Sequence, residues 1–362
     1  WGDHVRSVRL SDFGFDRPAL HVERAEFDDI LFKNAQEKGV DTFENTLAQE
    51  IETVAPGVSK VHYTSRQGDS TDKGTFNCKF VIDSTGQATL MGKQKDMKVF
   101  DDGFRFHAFW AYYKEMDYMS SLDRYCRFSE RRTHFPQTLV TDEGEWGWIW
   151  QIVMKDSVSV GLILERENMN KFKEKGKDLK SRFLRTIREN DILSNFITTE
   201  DIVDDKIYSV RDYSYKTKEH AVGNTVLVGD AAAFVDPINS AGVIMAFYSG
   251  YFASWVLDKS LQSPDKAKSY FDFYQKIVSS KFNLFRAIAV PEKYISQETL
   301  AACQQAFRLL SENELQLLMT QISLTQRAEN VPEFVSKLGV DKEYRFDEMS
   351  RDSFLSNFGV NA

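Results

Sequence analysis

The residues with the clearest chemical capacity form one run, Val226-Leu227-Val228-Gly229-Asp230-Ala231-Ala232-Ala233-Phe234-Val235-Asp236-Pro237. An apolar stretch leads into Gly-Asp, small residues follow, and Asp-Pro precedes a long apolar segment opening near Gly242. A strand ending at Asp230 presents a carboxylate that can accept hydrogen bonds from a sugar-alcohol chain. A helix beginning near Gly242 aims free N–H groups and the positive end of its dipole at something electron-rich. The same pattern also fits a plain strand–turn–helix with a solvated Asp230 and a proline cap. A second candidate is Trp148-Ile149-Trp150-Gln151-Ile152-Val153. On a strand, positions i and i+2 share a face, so both indoles project together, and on that ground alone they fill a core.

Several elements must position these groups. Phe27, Ile30, Leu31, Asn34, Ala35 and Lys38 follow helical spacing, predicting a helix over Val22 to Lys38 that Gly39 stops. Val40 to Phe43 reads as a short strand; Val61 to Thr64 and Phe76 to Ile82 read as extended, joined by a polar loop with Gly68, Ser70, Asp72 and Gly74. Helix followed by strand predicts βα packing in the first hundred residues. From Phe104 to Val160, aromatic and β-branched residues dominate, with a turn at Asp142-Glu143-Gly144, which predicts an antiparallel sheet. Lys171 to Arg188 has eight basic and two acidic residues with Phe172, Leu179, Phe183 and Ile187 at helical spacing, an amphipathic surface helix. Thr225 to Val228 is a strand and Gly242 to Leu261 a long helix; the remainder is mostly helical, with Leu309, Leu310, Leu315, Leu317 and Leu318 clustered. No repeat and no Pro/Gly linker separates these zones, so the domains are expected to interleave.

With 362 residues, 42% of them hydrophobic, the chain can build two cored domains and an appended third region. A net charge of −8 makes it a poor general nucleic-acid binder. Cys78, Cys126 and Cys303 stand far apart, without a CxxC pair or a His-rich neighbourhood, so neither a disulfide framework nor a structural metal site is expected, and a reducing, cytoplasmic setting fits. The first residues hold no initiator Met and no apolar run, so no signal peptide is visible. Pro237 to Leu257 is 21 residues without a charge, long enough to span a bilayer. Pro237, Asn239, Ser240, Gly242, Ser249, Gly250 and Ser254 interrupt it, and it reads as a helix buried in a large soluble domain.

Gly229-Asp230-Ala231-Ala232, Asp236-Pro237 and Gly242 together resemble the second FAD signature of FAD-dependent monooxygenases and their relatives. Val22-Glu23-Arg24, with Phe27-Asp28, Leu31, Ala35 and Gly39-Val40, resembles that group's Arg-bearing helix, and Val81-Ile82-Asp83-Ser84-Thr85-Gly86 resembles its Asp-Ala-Ser/Thr-Gly strand end. All three occur in the expected order. Trp148 to Val153 resembles the WxWxIP motif of flavin-dependent halogenases, with Val153 in the place of proline. The resemblance implies an α/β fold: a Rossmann-like FAD domain interleaved with an antiparallel-sheet substrate domain, followed by a helical region. It places FAD-binding segments at 1–100 and 221–262, the substrate domain at 101–220 and the helical region at 263–362.

By the same resemblance, Arg24 meets the phosphate–ribose end of FAD and Asp230 its ribityl chain, with Asp83, Gly86, Gly229 and Pro237 in the two signatures. Gly242 and Val243 offer backbone donors to the flavin ring. Chloride or bromide lies beside Ser240, Ala241 and Gly242, where halogenases carry Ser/Thr-Ser/Thr-Gly; Asn239 stands where an aromatic residue is frequent. Trp148 and Trp150 keep substrate away from the flavin. Reduced FAD from a separate flavin reductase, oxygen and halide then yield hypohalous acid for an electron-rich aromatic substrate, free or tethered to an acyl or peptidyl carrier protein.

No GxGxxG occurs in the chain. The resemblance sets that pyrophosphate loop, and the lysine that relays hypohalous acid, before Trp1; Trp1-Gly2 resembles residues shortly after that lysine, and no lysine present is carried over to its role. The chain is therefore expected to lack the first part of the domain. A related FAD monooxygenase or polyprenyl-type flavin reductase, and a non-catalytic flavoprotein fragment, stay open as alternatives. His107, in an aromatic strand, either lines a cavity or is a core histidine; Arg211-Asp212-Tyr213-Ser214-Tyr215, just before the flavin strand, resembles a halogenase-family stretch, and the other reading of Tyr213 and Tyr215 is simple packing. The basic helix at Lys171 to Arg188 either docks an acidic carrier protein or is a solvated face.

Overall fold

The computed structural model describes residues 4–16, 19–101, 104–121, 124–131, 137–143, 147–289, 310–325 and 347–356, with 297, 300, 301, 304, 307 and 308. Trp1, Gly2, Gly144, Cys303 and Leu309, singled out above, lie outside them, as does the Asn239 side chain. The chain forms two compact units, each assembled from separated segments: Trp1–Lys33, Phe104–Asp212 and Leu310–Ala362 in the first, Asn34–Gly103 and Tyr213–Leu309 in the second.

The strands are β1 (His4–Ser7), β2 (Thr46–Ala55), β3 (Val58–Gln67), β4 (Ser70–Cys78), β5 (Val81–Asp83), β6 (Lys98–Phe100), β7 (Phe106–Tyr113), β8 (Tyr118–Ser121), β9 (Arg124–Cys126), β10 (Leu139–Asp142), β11 (Gly147–Val153), β12 (Val158–Glu165), β13 (Tyr208–Arg211), β14 (Tyr215–Thr217), β15 (Ala221–Val222), β16 (Thr225–Leu227), β17 (Ala233–Phe234) and β18 (Asp347–Ser350). The helices needed below are α1 (Arg24–Glu37), α2 (Leu90–Gln94), α3 (Met169–Glu174), α4 (Leu179–Glu189), α5 (Ala241–Gln262) and α6 (Ala267–Ala289).

The first unit holds the expected antiparallel sheet, in the order β10-β11-β12-β7-β13. Period-2 alternation sends Phe109, Ala111, Ile149, Val153, Val160 and Leu162 to one face, where they pack with Phe172 of α3 and with Phe183 and Ile187 of α4. Trp148 lies opposite Ile163 and Trp150 opposite Gly161, on the other face. The predicted helix Lys171 to Arg188 is two helices: α3 ends before Gly176, and α4 restarts where the Asp178 carboxylate accepts the Ser181 N–H at 2.8 Å. Asp178 is an N-cap, and a new helix start wins over continuation there.

The second unit corrects the βα expectation. β2, β3 and β4 form an antiparallel meander, and among the described residues the parallel pair is β5 with β16. Gly68, at a φ of 58°, turns the chain in two residues, so Ser70, Asp72 and Gly74 belong to β4 instead of a loop. Val40 to Phe43 is not a strand. Gly39 adopts φ 86° and the Val40 N–H returns to the Ala35 carbonyl at 3.1 Å, closing the end of α1 and leaving no ladder partner for the next residues.

Helix α5 buries Ala241, Met245, Ser249, Ala253, Val256 and Ser260, with α6 packed beside it, while Ile244, Phe247 and Tyr251 are exposed. It is therefore buried on one face, not all round as its uncharged sequence predicts. Among the described residues no helix is long and apolar enough to cross a membrane.

Candidate functional site

Residues Gly229 to Val243 fold into one closed loop. β16 delivers Gly229 at its end, where a φ of 54° suits glycine and its N–H donates to Ser249 Oγ at 2.9 Å. A Cβ added at Gly229 would stand 3.2 Å from that of Ala246, so α5 passes close behind the turn. A one-turn 3-10 helix over Gly229–Ala231 leads into β17, which returns beside β14. Asp236 then caps a second short turn, Pro237–Asn239: its Oδ1 accepts the Ile238 N–H at 2.9 Å. Ser240 takes a left-handed φ of 51° and passes the chain into α5. Its side chain makes no capping hydrogen bond, so the helix start is not the serine-capped one that a plain helix would show.

The loop closes on itself at Gly242. A Cβ there would meet the Phe234 ring at 2.8 Å and stand 3.7 Å from Asp230 Oδ1. The Asp230 carboxylate therefore lies beside the first turn of α5, where Ser240 is exposed and Val243 40% exposed. Ala241 turns its methyl inward and is buried.

The β5 strand end joins this site. The Val228 N–H donates to the Asp83 carbonyl at 3.0 Å, and Thr89 Oγ1 donates to the Ala231 carbonyl at 2.7 Å. Asp83 is buried and uses its carboxylate internally: Oδ1 accepts from Thr85 N and Oγ1, Oδ2 from Met91 N. Gly86 follows in a left-handed turn (φ 62°) with nothing within 4 Å of where a Cβ would point. Thus Asp83, Gly86, Gly229, Asp230, Pro237, Ser240, Ala241, Gly242 and Val243 are gathered in the second unit. Arg24, Trp148 and Trp150 belong to the first. Arg24, on the first turn of α1, is exposed and donates through Nε and Nη2 to Asp28. Trp148 is buried; Trp150 is half-buried, donates to Ser159 Oγ at 3.2 Å, and has its ring 5.7 Å from that of Trp148. Val153 is buried, its carbonyl bonded to His21 Nδ1 at 2.8 Å.

Three residues matter here that sequence reasoning gave no polar role. The Tyr213 hydroxyl donates to Asp236 Oδ2 at 2.8 Å, and that of Tyr215 to the Asp230 carbonyl at 2.5 Å. Lys98 Nζ lies 3.7 Å from the Tyr215 ring centroid and donates to the Gln87 carbonyl. Burial lowers its pKa while nearby Asp230 pulls it back up. Their i, i+2 spacing marked the tyrosines as same-face neighbours; nothing in the sequence ties Lys98 to Asp230. Burial pushes the Asp236 carboxyl up to about 7, against the pull of its Tyr213 and Ile238 donors. Burial and the adjacent carboxyl raise the Tyr213 phenol as well. His107 is half-buried in β7, its pKa lowered chiefly by desolvation, and its ring is edge-on to Phe109.

A nucleotide-type flavin fits this loop on three counts: the Cβ-free space at Gly86, the Asp230 carboxylate beside the helix start, and the exposed first turn of α5. The sequence profile described as "Tryptophan halogenase" matches residues 13–299, and the chain belongs to that family. It is 28% identical over 265 residues to a tryptophan 2-halogenase of Chondromyces crocatus, covering 73% of this chain and 48% of that protein. It is 27% identical over 267 residues to a 1H-pyrrole-2-carbonyl-peptidyl-carrier-protein chlorinase of Pseudomonas fluorescens, covering 73% and 56%. The chain thus spans about half the length of the curated relatives it matches. Among solved structures, the flavin-dependent halogenase CmlS aligns with a TM-score of 0.62 at 21% identity, over 93% of this chain and 68% of that one. The chondrochloren halogenase CndH aligns at 0.64 and 23%, over 80% and 62%. At such identities these two show the fold: the FAD-dependent halogenase architecture, mixed α/β with antiparallel sheets.

Proposed function

We propose that this chain carries the flavin- and halide-holding segments of an FAD-dependent halogenase acting on an electron-rich aromatic substrate. The observation that supports this most is the closed loop from Gly229 to Val243, which sets a carboxylate, a glycine and open helix N–H groups together in a member of the halogenase family. When bound in its reduced form, FAD supplies the two electrons that, with two from halide, reduce oxygen to one water and the hydroxyl of hypohalous acid. The aromatic ring then takes the halogen and releases a proton, the acid's oxygen leaving as a second water.

The protein's own part is to bind, orient and exclude. Asp230 accepts hydrogen bonds from the ribityl hydroxyls, and Gly242 directs its N–H at the ring; the Val243 N–H turns instead to the Ser240 carbonyl at 3.3 Å. The halide is held beside Ser240 by the helix dipole and the backbone N–H groups of Ala241 and Gly242, which Ala241 still supplies without a hydroxyl. Asp83 shapes the strand end whose Gly86 approaches the cofactor, Arg24 meets the phosphate–ribose end, and Trp148 with Trp150 screens the substrate. Segments 1–100 and 221–262 serve the flavin, 101–220 the substrate and 263–362 a helical region. A flavin reductase supplies reduced cofactor, and one relative's carrier-bound pyrrole supports a carrier-tethered substrate here. The cytoplasm, which keeps thiols such as buried Cys126 reduced, is the matching compartment.

The test supplies the protein with FAD, a flavin reductase, NADH, oxygen and bromide, and screens phenols, indoles and a pyrrolyl carrier protein by mass spectrometry. The expected result is a product with the paired isotope peaks of bromine, absent without bromide or oxygen. Oxygen insertion without halide incorporation would identify an FAD monooxygenase instead, a reading that Val153 and Ala241 favour.

A further inference from the structure

The turn that leads into α5 is held from below by a pair of side chains outside the family signatures' assigned roles. Asp236 and Tyr213 are both about 2% exposed, and the tyrosine hydroxyl donates to Oδ2 at 2.8 Å. The other carboxylate oxygen, Oδ1, accepts the Ile238 N–H. Above this contact, the Ser240 N–H returns to the Pro237 carbonyl at 2.9 Å, and the Val243 N–H reaches the Ser240 carbonyl at a long 3.3 Å. Ser240 holds a left-handed conformation that a non-glycine residue adopts only at a cost, and its own side chain does nothing to cap it. Something else must fix that turn. The Tyr213 ring also lies edge-on to Phe234, 5.8 Å between centroids, and Phe234 is the ring that fills the space a Gly242 side chain would need. One tyrosine thus reaches both ends of the turn, through Asp236 at its start and Phe234 against Gly242 at its finish.

We propose that Tyr213 and Asp236 form a buried strut that holds Pro237–Ser240 in the shape presenting the first N–H groups of α5 to a halide, so that Tyr213 is a positioning residue for halide binding. This rests on the halogenase reading above. Tyr213 touches neither halide nor cofactor and acts only through the turn. Tyr113, a buried tyrosine in the core of the first unit, serves as the internal control.

Amide hydrogen exchange read by mass spectrometry tests this on the full chain with excess FAD, in wild type, Tyr213→Phe and Tyr113→Phe, each titrated with sodium bromide. The strut predicts at least tenfold faster exchange in Tyr213→Phe at residues 237–243 and unchanged exchange in β16. It also predicts that bromide slows exchange at 237–243 in wild type, with the half-saturating concentration raised at least fivefold by Tyr213→Phe and unmoved by Tyr113→Phe. Exchange raised evenly over the whole unit would reduce Tyr213 to a packing residue and overturn the proposal. An unchanged bromide midpoint in Tyr213→Phe would overturn it while leaving the halogenase reading intact. No bromide protection in the wild type would sink both. Should Tyr213→Phe not fold, Asp236→Asn, which keeps an acceptor for the tyrosine, must give an intermediate midpoint, and a wild-type midpoint would contradict the strut.

Discussion

Asp236 has left water almost entirely, and its titration follows from that. Its folded pKa is raised to about 7 by burial, so above the ordinary carboxylate range the folded protein holds a proton that the unfolded chain has lost. The contribution is fully present below that range and declines by up to about 1.4 kcal/mol per pH unit until pH passes about 7. Tyr213, the titratable group touching it, is itself raised and keeps its proton throughout. Melting curves from about pH 5 to about pH 8 are therefore expected to show wild type losing stability relative to Asp236→Asn as pH rises, because Asn cannot titrate. A constant difference across that range would contradict the account. Tyr213→Phe is expected to cost about 1–3 kcal/mol, as for leaving a buried carboxyl oxygen without its donor, measurable by urea denaturation. The sequence showed Asp236-Pro237 as a turn and the two tyrosines as same-face neighbours. It could not show the hydrogen bond between them, because residues 23 apart meet only through the pairing of β14 with β17.

At the scale of the element, two glycines set what the strands can carry. Gly161 faces Trp150 across β11 and β12, and a Cβ there would fall 2.0 Å from the indole. Gly161→Ala is therefore expected to expel the Trp150 ring from its place and cost about 1–3 kcal/mol through overpacking. Tryptophan fluorescence should shift along with the melting temperature; an unmoved spectrum would mean the ring does not depend on that gap. Gly229→Ala meets a left-handed backbone and the Ala246 methyl together, with about 1–2 kcal/mol expected from the backbone alone and a further steric cost. Circular dichroism melts check it. Much of this scale was legible: the aromatic and β-branched alternation from Phe104 to Val160 announced the sheet, and Val226 to Asp230 announced the strand and its turn. The failures share a cause. Gly39 and Gly68 turn the chain in left-handed conformations where a strand and a longer loop were expected, and Asp178 starts a helix inside a periodic run. Such local competitions are decided by capping and by the ladder partners available, which periodicity does not encode.

Across the whole molecule, the absence of linkers foretold segments that cross between units, and each unit is built from non-adjacent stretches. Composition foretold none of the pairings, since β5 and β16 are parallel neighbours separated by more than half of the sequence between Val22 and Leu261. What joins the scales is the claim that Gly229 to Val243, with the β5 strand end, holds a flavin. The most direct measurement is a fluorescence titration of FAD into the full chain and into Asp230→Ala. The account predicts saturable binding by the wild type, weakened at least tenfold by Asp230→Ala in a variant that melts at the same temperature. Equal affinity in both proteins, or no binding by the wild type, would contradict it.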